Sequence, residues 1–130
     1  MAVEATGLSA LTGATLVSQN ATAVAIARGI RVVLDSSTTV SAAGQTVRGD
    51  FVAAAPVAAS GTGAFVPLQL GCIVPMVTDG TAFVVNDTVY SAASGKVNKT
   101  SSGAQILGKA YTAAAAVDGT LFEVLLTNPL

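Results

Sequence analysis

Histidine and tryptophan are absent from this chain, cysteine occurs once, and charged side chains make up only 10% of the residues. Each shortage excludes something. Without histidine no Ser-His-Asp or Cys-His relay can form, and the side chain that titrates nearest neutral pH is missing. The single Cys72 cannot close an internal disulfide, and no Cys/His cluster is available for zinc, so Cys72 is expected to behave as a small buried hydrophobe. Six Lys and Arg residues, scattered from Arg28 to Lys109, stand against seven Asp and Glu, for a net charge of −1. Nothing there concentrates positive charge for phosphate neutralisation, so no nucleic-acid partner is expected. No apolar run approaches the length of a transmembrane helix, so no membrane partner is expected either. Met1-Ala2-Val3-Glu4 lacks the basic patch and apolar core of a signal peptide, which points to synthesis in a reducing cytoplasm.

What is present is alanine, valine, threonine, serine and glycine. The chain is 52% hydrophobic yet only 5% aromatic. Soluble domains carry roughly 25% charged residues. A surface so poor in charge exposes small apolar area, the kind that usually meets another protein; the alternative is an Ala-rich but ordinary monomer. The length, 130 residues, suits one domain with a real core that needs no disulfide or metal.

Along the chain, short β-branched runs alternate with turn signals. Ile30 to Leu34 lies between Gly29 and Asp35-Ser36-Ser37. Phe65 to Leu70 follows Gly61-Thr62-Gly63. Cys72 to Val77 ends near Asp79-Gly80, Thr88 to Tyr90 precedes Ser94-Gly95, and Leu121 to Leu126 follows Asp118-Gly119. The spacing predicts strands, with a type I′ hairpin turn at Asp118-Gly119. The alanine runs Ala53–Ala55 and Ala113–Ala116 are too short, or too close to Pro56, for helices, and read as strand ends, with a single helical turn as the alternative.

An internal repeat organises these signals. Gly44-Gln45-Thr46-Val47-Arg48-Gly49 matches Gly103-Ala104-Gln105-Ile106-Leu107-Gly108. An aromatic follows each (Phe51, Tyr111), then an alanine run, then Gly61-Thr62 or Gly119-Thr120, then a strand with Val66 or Val124; upstream, Val32 and Val40 match Val89 and Val97. The expected fold is all-β or mainly β. It is a small barrel or sandwich built from two approximate repeats, about 29–70 and 85–127, within one domain over 21–130. Residues 1–20, rich in Gly, Thr and Ser with Leu8, Leu11 and Leu16 in no clean period, read as an N-terminal arm.

Motifs that carry chemistry are weak. Gly103 to Ala110 nearly matches the phosphate-binding pattern G-x-x-x-x-G-K-[ST], but Ala110 replaces the hydroxyl that holds magnesium, and the repeat places Asp50 opposite Lys109. Asp35, Asp79, Asp87 and Asp118 sit beside turn formers, and no two carboxylates share a local face as an acid–base pair would. Arg48-Gly49-Asp50 spells the cell-attachment tripeptide, with a plain turn as the competing reading. Asn20, Asn86 and Asn98 begin N-x-T sequons that, without a secretion signal, are expected to carry no sugar. No catalytic residue, cofactor site or metal site is assigned, and the chain is not expected to be an enzyme.

The order of the second half points further. Val85-Asn86-Asp87-Thr88-Val89-Tyr90 is followed by Ala92-Ala93-Ser94-Gly95-Lys96-Val97, then Ile106 to Ala110, Ala113 to Ala116, Asp118-Gly119 and Val124-Leu125-Leu126. This order resembles the capsid decoration, or cement, proteins of tailed bacteriophages. Asn86 stands where glycine is usual there, though Asn also tolerates positive φ. The resemblance, over roughly Arg28 to Leu126, implies a β-rich virion protein on the outer surface of the capsid. It implies further that the protein clamps neighbouring major capsid protein subunits and often stands as a homotrimer. Such a clamp would act by mass action, binding the assembled shell and not its parts. Glu4, Leu8, Leu11 and Leu16 of the arm are then the candidate capsid-binding residues. A tail-tube or fibre component is the nearest alternative; a nucleotide-binding protein and an adhesion module resting on Arg48-Gly49-Asp50 rank below it.

Overall fold

Residues 16–127 are described by a computed structural model. Ten strands follow in order: β1 (Val17–Ala21), β2 (Arg31–Leu34), β3 (Thr39–Ala42), β4 (Phe51–Ala53), β5 (Thr62–Pro67), β6 (Ile73–Val77), β7 (Thr88–Ser91), β8 (Val97–Asn98), β9 (Ile106–Ala110) and β10 (Leu121–Leu126). A short 3-10 turn, Ala93–Gly95, precedes β8. β10 shows why such runs become strands: Phe122, Val124 and Leu126 are buried while Glu123 and Leu125 face outward, the period of two that a pleated surface imposes.

β1 to β5 form a closed barrel in the order β1-β3-β2-β4-β5, and β6 to β10 form a sheet in the order β6-β10-β9-β7-β8. The two orders are the same circuit. In the barrel, β1 pairs with β3 in parallel through Ala21 and Val40; in the sheet a single parallel bridge, Thr78 to Val97, stands at the same place. The bridge Ile26–Val57 recurs as Phe83–Ala114, and the pair Val17–Phe65 as Val74–Val124.

The repeat is therefore longer than its sequence suggests, and its register differs. β1 and β6 belong to it, and both lie outside the bounds read from the sequence. Residues 17–20, assigned to the arm, are part of β1, because Val17 to Asn20 pair with Phe65 to Thr62. Val52 opposes Val66 as Lys109 opposes Leu125, so Val52 and not Asp50 corresponds to Lys109. Val47 is 41% exposed and Ile106 only half-buried, whereas Leu107 is fully buried. Gly61-Thr62-Gly63 is not one turn: the turn closes from Gly61 N–H to the Ala58 carbonyl at 2.8 Å, with Ser60 at φ +58°, and Thr62 already begins β5. At Asp118-Gly119 only Gly119 has positive φ (+91°), and Thr120 N–H donates to the Val117 carbonyl at 3.1 Å. That is the pattern of a type II turn, not type I′. The alanine runs hold no helix; Ala53 ends β4 and Ala114 makes its isolated bridge.

Two hydrophobic clusters interlock. The barrel interior gathers Ile26, Val32, Val40, Ala53, Val57 and Phe65, and takes Val77 from β6. The second cluster holds Val74, Met76, Phe83, Val89, Leu107, Phe122 and Val124, and takes Val52, Ala54 and Val66 from the outer face of the barrel. Phe83 and Phe122 stack with centroids 4.7 Å apart, worth about 0.5–1.5 kcal/mol beyond burial. Shared side chains of this kind make the halves one folding unit. Denaturant unfolding is expected to show one transition, and Leu107→Ala to lower stability by about 2–5 kcal/mol, with Ile106→Ala costing less. Two separated transitions would show that the halves fold independently.

Candidate interaction surface

A buried arginine joins the two halves. Arg31, at the start of β2, is 0% exposed. Its guanidinium donates to the carbonyls of Val47 (2.6 Å), Arg48 (3.0 Å) and Gly44 (3.4 Å) in the barrel. It also donates to those of Ala92 (2.7 Å) and Lys96 (3.0 and 3.3 Å) in the second sheet. Burial pushes its pKa down to about 10, so it remains charged at neutral pH. Carbonyl dipoles, not a carboxylate, offset the loss of water around the charge. Beside it, Gly95 N–H donates to the Ala43 carbonyl at 2.7 Å, and the Ser91 hydroxyl bonds to the Gln45 carbonyl.

The tempting motifs are used within the fold itself. Arg48 of the Arg-Gly-Asp tripeptide donates to the Ile106 carbonyl at 2.7 Å, across to the second half, and Asp50 accepts the Leu34 N–H at 2.9 Å. The tripeptide is thus a structural bend whose charged ends are engaged within the fold. In the phosphate-loop look-alike, Ile106 to Ala110 is strand β9, and a Cβ on Gly108 would collide with the Leu125 carbonyl oxygen. Gly108 lets β9 and β10 approach; it does not open a cradle over a helix. Of the sequon asparagines, Asn20 accepts the Thr62 hydroxyl, Asn98 donates to Asp79, and Asn86 takes φ +81°, as its glycine-like place requires.

Of the arm residues proposed as contacts, Glu4, Leu8 and Leu11 lie outside the described residues. Leu16 is half-buried and, like Ala64 and Leu68, packs against the second cluster. Cys72 is buried, and burial raises its pKa, as expected of a small hydrophobe. Among the described residues, no group of three His, Cys, Asp or Glu side chains comes together.

Two surface features were not legible as sites. One is a shallow, mostly apolar cavity of about 360 Å³ at the end of β1, lined by Thr22, Val24, Ile26 and Ile30 with Ser41 and Ser94. The other is a patch where the loop 84–87 meets the bend after β9: Val84, Val85 and Tyr111 are 63%, 62% and 51% exposed. Asp87 holds this loop by accepting the Val84 N–H at 2.9 Å, with Lys99 3.3 Å away. That backbone hydrogen bond, aided by Lys99, depresses the Asp87 pKa. The adjacent valines in sequence were the only hint, and the strand reading had no reason to expose them.

The fold has a solved counterpart. The chain is similar to the head fiber gp8.5 N base of bacteriophage phi29, with a TM-score of 0.69 at 15% identity, covering 88% of this chain and 94% of that chain. No family model matches, and no curated protein matches. At this identity the likeness establishes the architecture.

Two outcomes follow for the junction and the motif. Arg31→Met should destabilise the protein by roughly 3 kcal/mol or more in denaturant titrations, because it strands buried carbonyls on both halves, and Arg31→Lys, with fewer donors, should recover only part of this. Calorimetry with ATP and magnesium should detect no binding; saturable binding that disappears in Lys109→Ala would reverse the reading of β9.

Proposed function

We propose that this chain is a structural protein of a tailed-phage virion, seated on the outside of the head against the major capsid protein. The observation that carries the reading is the near-complete overlap of its fold with a module that, in another phage, is the base of a head fiber. The ordered motifs of the second half, which resemble cement proteins, support the same location. A β-rich body with few charges and exposed small apolar area suits a protein whose work is contact. In the finer form of the proposal, the protein clamps neighbouring capsid subunits and stabilises the shell because it binds only the assembled state. A second reading, favoured by the head-fiber likeness, makes the chain the base of a projecting fibre.

Heads purified from phage lacking the gene test both. Added protein should bind them saturably, and electron microscopy should show new density on the outer surface. A clamp should raise the temperature at which heads release DNA; a fibre base should leave that temperature unchanged while restoring projections. Protein that binds no head would sink the proposal in either form. If the arm with Glu4, Leu8 and Leu11 is the contact, deleting residues 1–15 should leave the melting temperature of the free protein unchanged and weaken head binding at least about tenfold. Unchanged head binding would remove the arm from the interface.

A further inference from the structure

The two repeats treat one surface hollow in opposite ways. Thr22 N–H donates to the Val40 carbonyl at 3.2 Å as Asp79 N–H donates to the Val97 carbonyl at 3.0 Å, and the bridge at Ile26 recurs at Phe83. The offset between these pairs is constant, so residues 22–42 align with 79–99 without a gap. In the second repeat side chains span the hollow. Asn98 donates to Asp79 at 3.0 Å, and the Thr81 hydroxyl donates to Asp79 at 2.8 Å. Lys99 crosses above the Phe83 ring, 5.9 Å from its centroid, and pairs with Asp87 at 3.3 Å.

In the first repeat each of those groups gives way to a shorter or apolar one. Ser41 stands for Asn98, Thr22 for Asp79, Val24 for Thr81, Ala42 for Lys99 and Ile30 for Asp87. What remains is the mostly apolar cavity of about 360 Å³, with Ile26 and Ile30 buried in its floor and Val24, 72% exposed, on its rim. No charged side chain lines it. A lining of this kind suits an uncharged aliphatic side chain, since a charge there would lose water and find no partner.

The chain itself carries such a side chain within reach. Residues 1–15 join the fold at Leu16, and the strand from there to Thr22, on the cavity wall, rises about 20 Å. Leu11, five residues before Leu16, extends at most about 18 Å from it; Leu8, eight residues before, extends about 29 Å. Gly13, between them and β1, allows the chain to reverse. Counting back from β1, Leu8 is therefore the first large apolar residue able to return to the cavity. We propose that Leu8 packs into the cavity of its own chain, against Val24, Ile30 and Ala42, where Lys99 and Asp87 close the second repeat. The inference concerns the free protein and does not rest on the head-binding reading. It gives Leu8 an intramolecular seat in place of a contact with the shell.

Thermal melting of the purified full chain tests it. Leu8→Ser should lower the melting temperature by about 4 °C or more. Ala42 is exposed, and lysine is what the second repeat carries at its place, so Ala42→Lys should fold. Its stem should lie across Ile26 and Ile30 with the ammonium in water, closing the cavity. Leu8→Ser added to Ala42→Lys should then change the melting temperature by no more than about 1 °C. Cross-linking separates the chain's own arm from that of a second copy. Cys72 is buried, so Leu8→Cys with Val24→Cys adds the two thiols that oxidation can join. Mild oxidation of dilute protein should give a cross-linked monomer. A Leu8→Ser variant that melts like wild type, an effect undiminished by Ala42→Lys, or disulfide-linked dimers in place of the cross-linked monomer would each overturn the proposal.

Discussion

The structure turns on one buried charge. Arg31 lies where the barrel meets the second sheet, and its guanidinium reaches carbonyls on both. A guanidinium in a dry interior is costly unless its donors are used. Here the donors set the geometry: the loop 44–48 and the segment 92–96 must both turn their carbonyls inward to the same point. Those carbonyls belong to irregular chain, outside the main ladders; the Gly44 and Lys96 carbonyls also accept the N–H groups of Val47 and Ala92, while those of Val47, Arg48 and Ala92 rely on the guanidinium. The arginine therefore satisfies the backbone of two loops and locks the angle between the halves in one step.

Close backbone approaches complete that junction. Gly29 lets the first repeat settle against Val77 and Leu121, and Gly95 places an N–H against the Ala43 carbonyl. The apolar clusters then exchange side chains, with Val77 entering the barrel cluster and Val52, Ala54 and Val66 entering the other. Polar junction and apolar exchange point the same way, as expected of a sequence in which local and global preferences agree. The consequence is one folded body, a closed barrel joined to a five-stranded sheet, on which Val84, Val85 and Tyr111 stay exposed.

The motifs show how short sequence patterns mislead. Arg48-Gly49-Asp50 reads as an attachment signal, but its arginine is spent on the Ile106 carbonyl and its aspartate on the Leu34 N–H. The phosphate-loop look-alike is a strand, with Gly108 present for contact with β10. In both, a residue type that could serve a ligand is serving the backbone instead. Arg31 was passed over for the opposite reason: in sequence it was one scattered cation in a β-branched run, with nothing to mark it as buried.

Much of the fold was legible because it rests on local chemistry. Alternating β-branched runs between glycine and Asp/Asn turns fixed the all-β class and located β2, β6, β7 and β10, and repeated turn signals revealed two similar units. The register was not legible. The repeats differ by small insertions near 58–60 and 115–119, so matching glycines in sequence slid the alignment by one or two residues, enough to pair Asp50 with Lys109 and to place Val47 inside. β1 was hidden because Val17-Ser18-Gln19-Asn20 has weak strand propensity and is held by pairing with β5, a partner more than forty residues away. The candidate site was almost wholly invisible beforehand, since Val84, Val85 and Tyr111 look like core residues in any one-dimensional reading. By itself the sequence determined the class of structure, because strand and turn preferences act between neighbours. Only the tertiary structure decided the burial of Arg31, the barrel circuit and the uncovered apolar face, because those depend on which distant segments exclude water from one another.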